Sequence, residues 1–238
     1  MLNEAPLIAS FLRHLRSIVP QAELIVVDGE STDGTAVLAA PLAGRVLSVP
    51  RGRARQMNAG AAAATGDVLW FLHVDSELPA NAYAAVQSAL RNKRVIGGCL
   101  RLQIPRRELV YRITDRLGNA GVEVFRIALG DHGIFCRRSA FEAVGGYPEV
   151  PILEDAELYR KLRLFGDMRQ IKATMKSSAR TYERLGRYRT TATYFLILVL
   201  YVPRVPISFL NRIYRRLHDN ARGDKCGYSE YSRKASSG

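Results

Sequence analysis

A short apolar run that ends in a histidine and an aspartate constrains the fold more than any other stretch. Residues 68–72 are all apolar, rich in β-branched and aromatic types, and follow a Thr-Gly pair. This composition predicts a short central strand buried on both faces. His73 and Asp75 come next, and an extended backbone would place both side chains on one side. We therefore expect an α/β fold with these groups at the carboxyl end of a strand, where open α/β sheets bind ligands.

The His73 and Asp75 pair allows two interpretations. A carboxylate with an imidazole suits a divalent cation such as Mn²⁺. The same side chains could instead cap the turn that follows the strand. These two residues alone leave both interpretations open.

Length, charge and cysteine content limit the class of protein. The 238 residues, 47% of them hydrophobic, suffice for one sizeable core. The formal net charge is +13, and residues 180–238 hold 12 Lys and Arg against 4 Asp and Glu. This skew favours a basic segment that faces an anionic surface over a uniformly basic nucleic-acid binder. The three cysteines have no CxxC spacing, which argues against a disulfide framework or zinc cluster and indicates a reducing compartment.

The expected location follows from the absence of targeting patterns. The first residues lead directly into an amphipathic pattern rather than a signal peptide. The longest apolar run, 194–202, is far shorter than the roughly 20 residues that span a bilayer. We expect a cytoplasmic protein, peripheral on the inner face of a membrane at most.

Apolar periodicity predicts alternating helices and strands along the chain. An amphipathic helix should follow Asn3, which is a plausible cap, with Pro6 in its first turn. Further strands are predicted over 23–27, 45–49 and 95–104, and helices after 51–60, over 80–90 and from 153. Residues 106–129 are amphipathic, 130–138 read as a turn, a short strand and a helix entry, and 145–148 form a tight turn.

Three polar segments carry candidate binding groups. The acidic turn over 28–35 could hold a ribose or base, or it could be an ordinary βα turn with Asp33 or Ser31 as helix cap. The arginines within 51–55 suit a phosphate-bearing ligand at a helix start, or form a solvated basic face. Glu154 and Asp155 begin a helix, where the dipole stabilises acids, so a catalytic role needs the other motifs.

The segment 187–216 combines aromatic and aliphatic residues with arginines, and prolines divide it at 203–206. Two amphipathic helices that lie on a membrane surface or on the domain would have this pattern. Residues 218–238 are polar, and we expect disorder there.

Taken in order, the motifs resemble a family 2 glycosyltransferase of the GT-A type. The resemblance rests on residues 2–5, 27–35, 52–60, 71–75, 130–135 and 154–158. It is closest to the subgroup associated with radical-SAM and selenium-domain genes and with arsenosugar biosynthesis. The resemblance implies an α/β GT-A fold, in which helices flank a mixed sheet, and a hexosyltransferase-like enzyme.

The resemblance also assigns the site. It places nucleotide-sugar contacts at Glu4, Asp28, Arg55, Asn58 and Asp75, and acceptor-side residues at Asp131 and His132. Asp155 would be the general base of an inverting transfer, with Glu154 in support. Asp75 would bind a divalent cation, Mn²⁺ or Mg²⁺, together with His73. The donor would be a UDP- or GDP-sugar, and the acceptor a small molecule or a lipid-linked group.

Two departures from the family pattern define the alternative. His73 stands at the first position of the D-x-D motif, which leaves one carboxylate for a metal. The resemblance expects a strand ahead of Leu2, where this sequence has none. The alternative is a truncated or decayed module that binds nucleotide or membrane without catalysis. A nucleic-acid binder is not expected, because no known recognition motif is present.

Together, the residue pattern and the resemblance predict three segments. Residues 1–186 would form the transferase domain, 187–217 the basic aromatic helices, and 218–238 the disordered tail.

Overall fold

The computed structural model describes residues 1–217, and the predicted disordered tail, 218–238, lies outside this range. The helices are α1 (Ala5–Ile18), α2 (Thr35–Ala39), α3 (Arg53–Ala63), α4 (Ala82–Leu90), α5 (Leu109–Phe125), α6 (Arg138–Ala143), α7 (Glu154–Leu162), α8 (Arg180–Leu185), α9 (Arg187–Tyr201) and α10 (207–217). The strands are β1 (Ile25–Asp28), β2 (Arg45–Ser48), β3 (Val68–Trp70), β4 (Ser76–Glu77), β5 (Val95–Gln103), β6 (Phe135–Arg137) and β7 (Asp167–Ser177).

These elements form two compact units. The first contains Met1–Pro105 and Gly118–Ser178, and the second contains Arg106–Leu117 and residues 179–217. The break between α9 and α10 confirms the predicted division at 203–206. The boundary predicted after residue 186 stays a prediction. Among residues 1–217, none of the helices combines the length and the hydrophobicity needed to cross a bilayer.

The first unit is built on two sheets. Strands β1 and β2 pair in parallel, and a five-stranded sheet has the order β3-β6-β5-β7-β4. In the larger sheet β5 and β7 are parallel, whereas β6 and β4 run antiparallel to their neighbours. A Cβ atom at Gly97 or Gly98 would collide with the backbone oxygen of Phe135 or Arg169, so β5 fits between its neighbours only with glycines there. The predicted mixed sheet flanked by helices is confirmed.

The prediction that residues 68–72 form a central strand buried on both faces is wrong. Strand β3 ends at Trp70 and lies at the edge of the five-stranded sheet, where it pairs with β6. Val68 is 38% exposed, while Leu69 is buried. The hydrophobic run predicted too long a strand, because its last two residues pack against the core beyond the strand end.

Strand β7 was not predicted, although it is the longest strand in the described chain. Its buried residues alternate with exposed or half-buried polar ones over most of its length. Lys172, Thr174 and Lys176 interrupt its apolar residues in sequence, so no apolar run marks it. Strand β4 was also missed, since two residues carry no periodicity.

The start of α1 corrects the predicted cap. Glu4, not Asn3, is the N-cap, and Asn3 adopts a left-handed φ of 53°. The Asn3 side chain instead accepts a hydrogen bond from the backbone of Thr32. In return, Thr35 Oγ1 accepts from the Glu4 N–H and Asp33 Oδ2 accepts from the Ala5 N–H, at 2.8 and 3.0 Å. The acidic turn therefore satisfies backbone donors at the start of α1.

Met1 forms backbone hydrogen bonds to one edge of β1, next to the position of the strand expected ahead of Leu2. The Met1 amine donates to Val27 O, and the Gly29 N–H donates to Met1 O, each at 2.8 Å. These two bonds are one rung of a parallel ladder opposite Asp28. Met1 thus lies on the side of β1 that faces away from β2, where the expected strand would pair.

Two apolar clusters hold the first unit together. One joins α1 to α4 and to the larger sheet through residues such as Ile8, Leu100 and Met175. The other packs α6 and α7 against the sheet through residues such as Phe141 and Leu158. The second cluster fixes α7 as a rigid support for the polar residues at its start.

Candidate functional site

The start of α7 presents two buried carboxylates. Leu153 turns into the helix with a left-handed φ of 64°, a conformation that leucine rarely adopts. Glu154 and Asp155 follow as the first helical residues and are only 5% and 4% exposed. The positive end of the helix dipole favours anions there. The strained entry and the buried acids mark this helix start as a candidate site.

Arg53, at the start of α3, connects these acids to His73. Arg53 Nε lies 2.7 Å from Glu154 Oε1, and Nη2 lies 3.0 Å from Asp155 Oδ2 and 3.1 Å from His73 Nε2. Since arginine can only donate, His73 Nε2 is the acceptor. Burial, and then the charge of Arg53, lower the pKa of His73 to about 3. His73 is therefore neutral near pH 7, with a lone pair directed at Arg53. We call Arg53, His73, Glu154 and Asp155 the Arg53 cluster.

The Asp155 carboxyl is tuned towards neutral pH. Burial raises the pKa of Asp155 to about 6, Arg53 opposes the shift, and Glu154 and Asp131 add to it. The Tyr147 hydroxyl lies beside Asp155, which together with burial raises the pKa of Tyr147. That hydroxyl lacks a well-aligned hydrogen-bond partner among the described residues. A carboxylate with this pKa can accept a proton near neutral pH.

Glu154 is paired by charge rather than by an aligned hydrogen bond. Its Oε1 lies close to Arg53 Nε, but the angle is unfavourable, and no described group hydrogen-bonds to this oxygen. A buried carboxylate oxygen in that state carries a desolvation penalty. Glu154 Oε1 can therefore accept a hydrogen bond from a donor group of a ligand.

The predicted acceptor-side residues, Asp131 and His132, lie on a 3₁₀ turn, Gly130–His132, before β6. Asp131 is exposed, and its charge contributes to the raised pKa of Asp155, so the two acids are neighbours. His132 is buried, its Nδ1 lies 3.3 Å from Leu129 O, and its Nε2 has no partner in the described chain. Burial lowers the pKa of His132. The structure brings Asp131 to the Arg53 cluster and turns the His132 ring inward, towards Gly118.

The predicted donor-side residues have protein partners. Asp28, buried at the end of β1, accepts from both the N–H and the hydroxyl of Ser31. Asn58 exchanges two hydrogen bonds of 2.9 Å with the backbone of Tyr147. Arg55 pairs with the exposed Glu149 at 3.1 Å. Each residue thus has a structural role, and its donor contact stays a prediction.

The side chain that the sequence analysis missed is Arg53. Three arginines occur within 51–55, and the resemblance pointed to Arg55. Arg53 meets Asp155 across a separation of 102 residues. No local signal distinguishes Arg53 from Arg55, because only the tertiary arrangement of the two helix starts decides which guanidinium reaches the acids.

The metal site predicted at His73 and Asp75 stays a prediction. Among residues 1–217, no three His, Cys, Asp or Glu side chains converge as a preformed metal site. The charge of Asp75 acts on His73 and opposes the lowering of its pKa, so these two predicted ligands are neighbours. An unprotonated imidazole and a carboxylate fit a cation whose other ligands come from substrate phosphates.

A cavity of about 390 Å³, lined in part by Asn58, is a weaker candidate for the functional site. Leu69, Phe141 and Gly146 line it, together with Arg138, which hydrogen-bonds to Gly66 O. No member of the Arg53 cluster reaches this cavity. The Arg53 cluster, with its tuned carboxylate, is therefore the candidate site.

Comparison with protein families identifies the family of the chain. The family model described as glycosyl transferase family 2 matches residues 1–141. The chain belongs to this family, and the predicted enzyme class is confirmed. Among curated proteins, none matches the chain.

Solved structures show the same fold. The mannosyltransferase PcManGT from Pyrobaculum calidifontis, solved with GDP-Man and Mn²⁺, is 20% identical with a TM-score of 0.65, covering 100% of this chain and 74% of that one. Glucosyl-3-phosphoglycerate synthase from Mycobacterium tuberculosis, solved with Mn²⁺ and UDP-glucose, is 19% identical with a TM-score of 0.60, covering 87% and 77%. Mannosyl-3-phosphoglycerate synthase from Rubrobacter xylanophilus is 20% identical with a TM-score of 0.56, covering 87% and 74%. The predicted GT-A fold is confirmed.

Proposed function

We propose that the chain transfers a sugar from a nucleoside diphosphate sugar to an acceptor hydroxyl, with inversion at the anomeric carbon. The observation that carries the proposal is the Asp155 carboxyl, buried at the start of α7 with a pKa of about 6 and paired with Arg53. The family supplies the reaction class, and this carboxyl supplies the base that the reaction needs.

The proposed chemistry needs a base on one side of the sugar and positive charge on the other. Asp155 accepts the proton of the acceptor hydroxyl as that oxygen bonds to the anomeric carbon. The bond from the anomeric carbon to the diphosphate breaks at the same time, and its electrons go to the phosphate oxygen. Glu154 keeps Asp155 basic through its negative charge. A guanidinium such as that of Arg53 is suited to the charge that develops on the diphosphate.

A divalent cation, Mn²⁺ or Mg²⁺, is part of the proposal. His73 and Asp75 would hold it with the substrate phosphates, and when bound it would stabilise negative charge on the leaving group. PcManGT was solved with GDP-Man and Mn²⁺, and glucosyl-3-phosphoglycerate synthase with UDP-glucose and Mn²⁺, which supports this assignment.

The donor and acceptor assignments extend the same proposal. Glu4, Asp28, Arg55 and Asn58 would contact a UDP- or GDP-sugar, and Asp131 and His132 would face the acceptor. The acceptor would be a small molecule or a lipid-linked group. The proposal also assigns the chain to the arsenosugar-biosynthesis subgroup. It further includes binding to an anionic membrane surface, on the inner face of the membrane.

Calorimetry tests the donor site directly. UDP and GDP are titrated, with and without Mn²⁺, into the wild type, Asp75→Ala and Asp67→Ala. Asp67 is an exposed aspartate ahead of β3 and serves as the matched control. We expect binding that depends on Mn²⁺ and is lost in Asp75→Ala only. Equal binding by all three proteins would contradict the role of Asp75, and no binding to either nucleotide would contradict the donor site.

The alternative is a module that binds nucleotide or membrane without catalysis. The observation in its favour is that Arg53 already pairs with both carboxylates, Glu154 and Asp155, within the protein. Sugar transfer or donor hydrolysis by the purified protein would exclude this alternative.

A further inference from the structure

Helix α9 in the second unit has two apolar faces. Its buried residues, Thr190, Ile197 and Tyr201, recur at intervals of seven and four and form one stripe. Phe195, Leu196, Val199, Val202 and Tyr188 are exposed large hydrophobic residues. At 100° per residue, most of this second set lies opposite the buried stripe, where a helix on a water-facing surface normally carries polar residues.

The exposed face of α9 continues onto the first turns of α5. An apolar groove of about 320 Å³ lies between the two helices, with Leu109 and Ile113 on one side and Tyr188 and Phe195 on the other. We call the exposed apolar residues of these two helices the α5–α9 face. It consists of Leu109, Ile113, Tyr188, Phe195, Leu196, Val199 and Val202.

Polar and aromatic contacts within the second unit hold the two helices in register. Thr114 and Thr191 hydrogen-bond at 3.0 Å, and Arg187 pairs with Glu108 at 3.0 Å. The Tyr182 ring of α8 makes edge contacts with Tyr111 of α5 and with Tyr194 of α9, and so connects the two helices. The α5–α9 face is therefore a formed surface rather than loose side chains.

Arginines surround this face. The described residues of the second unit include 12 arginines, 3 acidic residues and no lysine. Glu108 pairs with Arg187, and Glu183 pairs with Arg106. Residues 190–203 carry no charge, so the arginines lie at the ends of the apolar stretch. A long cationic side chain at such an end can reach phosphates while the apolar residues enter the acyl boundary.

We propose that the α5–α9 face docks on an anionic lipid bilayer, with α9 in the plane of the interface. This inference rests on the membrane partner of the proposed function and identifies the surface that binds it. The positive charge of the unit selects anionic lipid. The same charge disfavours a second copy of the chain as the occupant, because two arginine-rich surfaces would repel.

Vesicle binding by the full chain tests the docking surface. The wild type is sedimented with phosphatidylglycerol–phosphatidylcholine vesicles and with pure phosphatidylcholine vesicles, at low and high salt. We expect binding to the anionic vesicles that weakens with salt. The double variant Phe195→Ser and Val199→Ser should lose at least about tenfold in partition coefficient, since burial of each side chain in lipid is lost.

A matched control removes comparable apolar surface elsewhere. Leu164 and Phe165 of the first unit are 79% and 56% exposed, and Phe195 and Val199 are each 47% exposed. The control Leu164→Ser and Phe165→Ser should bind vesicles as the wild type does. Thermal unfolding of each double variant shows whether it is folded. Nucleotide binding by calorimetry is measured on the same proteins, so failure of the docking surface and failure of the proposed function are distinguishable.

A gain-of-signal measurement does not depend on loss of binding. Val199→Trp should show a blue shift of its fluorescence when anionic vesicles are added, and Leu164→Trp should not. Absence of wild-type binding at low salt, or equal binding by both double variants, would overturn the proposal. A dimer that Phe195→Ser and Val199→Ser disrupts would also overturn it, because the face would then belong to a second copy.

Discussion

Replacement of Arg53 by glutamine should move the acid limb of the pH–rate profile to higher pH. Transfer requires deprotonated Asp155, so the rate falls as pH drops below the pKa of this carboxyl. In the wild type burial raises that pKa to about 6, and Arg53 holds it below the value that burial alone would produce. Removal of the positive charge takes away the opposing effect, so the pKa rises further.

The expected size of the shift follows from distance and exposure. An opposite charge within about 4–6 Å changes a carboxyl pKa by roughly 1–3 units. The Arg53 side chain is 55% exposed, and solvent screens its charge, so we expect about one unit. At pH 6 the deprotonated fraction of Asp155 would fall from about one half to about one tenth, roughly a fivefold loss of rate. Any loss of diphosphate stabilisation would lower the whole profile without moving its midpoint.

Release of nucleoside diphosphate between pH 5 and 9, measured as kcat/KM, reports the pKa of the free enzyme. Arg53→Lys keeps the charge and should keep the midpoint. Arg55→Gln removes a guanidinium that pairs with Glu149 on the surface, and should also leave the midpoint unchanged. A midpoint in Arg53→Gln equal to that of the wild type would refute the assignment of Asp155 as the base controlled by Arg53.

Two further variants separate catalysis from stability. Asp155→Asn should abolish transfer and still unfold at a higher temperature than the wild type at pH 8. Because the folded pKa is raised from 3.8 to about 6, the carboxylate costs stability increasingly as pH rises through this window, by up to about 3 kcal/mol above it. Thermal unfolding at pH 4 and pH 8 would contradict this if the difference between the proteins did not grow with pH. Asn58→Ala should lower the free energy of unfolding by about 2–3 kcal/mol in urea, since the buried Tyr147 N–H loses its acceptor, whereas Arg55→Ala should cost under about 1 kcal/mol.

The elements that were predicted correctly have local signals. Helix α7 begins at acids that suit its dipole, and β5 has an apolar run that opens with two glycines. Strand β7 lacks such a run, and its place in the sheet depends on parallel pairing with β5 some 70 residues away. The prediction that β3 is buried on both faces was wrong for a related reason. Sequence composition does not reveal whether a strand lies at the centre or the edge of a sheet.

The residues of the candidate site also divide into those that local sequence predicts and those that depend on tertiary contacts. Glu154 and Asp155 could be predicted, since the motif places both at one helix start. The choice of Arg53 over Arg55 could not, because it depends on a side-chain contact between residues 102 positions apart, at the starts of α3 and α7. Local sequence therefore defines the acids, and tertiary structure defines the cation that controls them.

Hydrogen bonding gives a physical criterion for the residues that await a ligand. Asp28 and Asn58 have their hydrogen bonds made within the protein, so the fold alone accounts for them. Among residues 1–217, Glu154 Oε1, the Tyr147 hydroxyl and His132 Nε2 are buried without a well-aligned hydrogen-bond partner, as are side-chain atoms of Ser76, Tyr159, Gln170 and Thr190 elsewhere. Each such group costs about 1–3 kcal/mol, and folded proteins leave few of them. Two of the three lie beside Asp155, and the third follows Asp131, which also acts on that carboxyl. Substrate hydroxyls could supply the missing partners of these three groups near the proposed base.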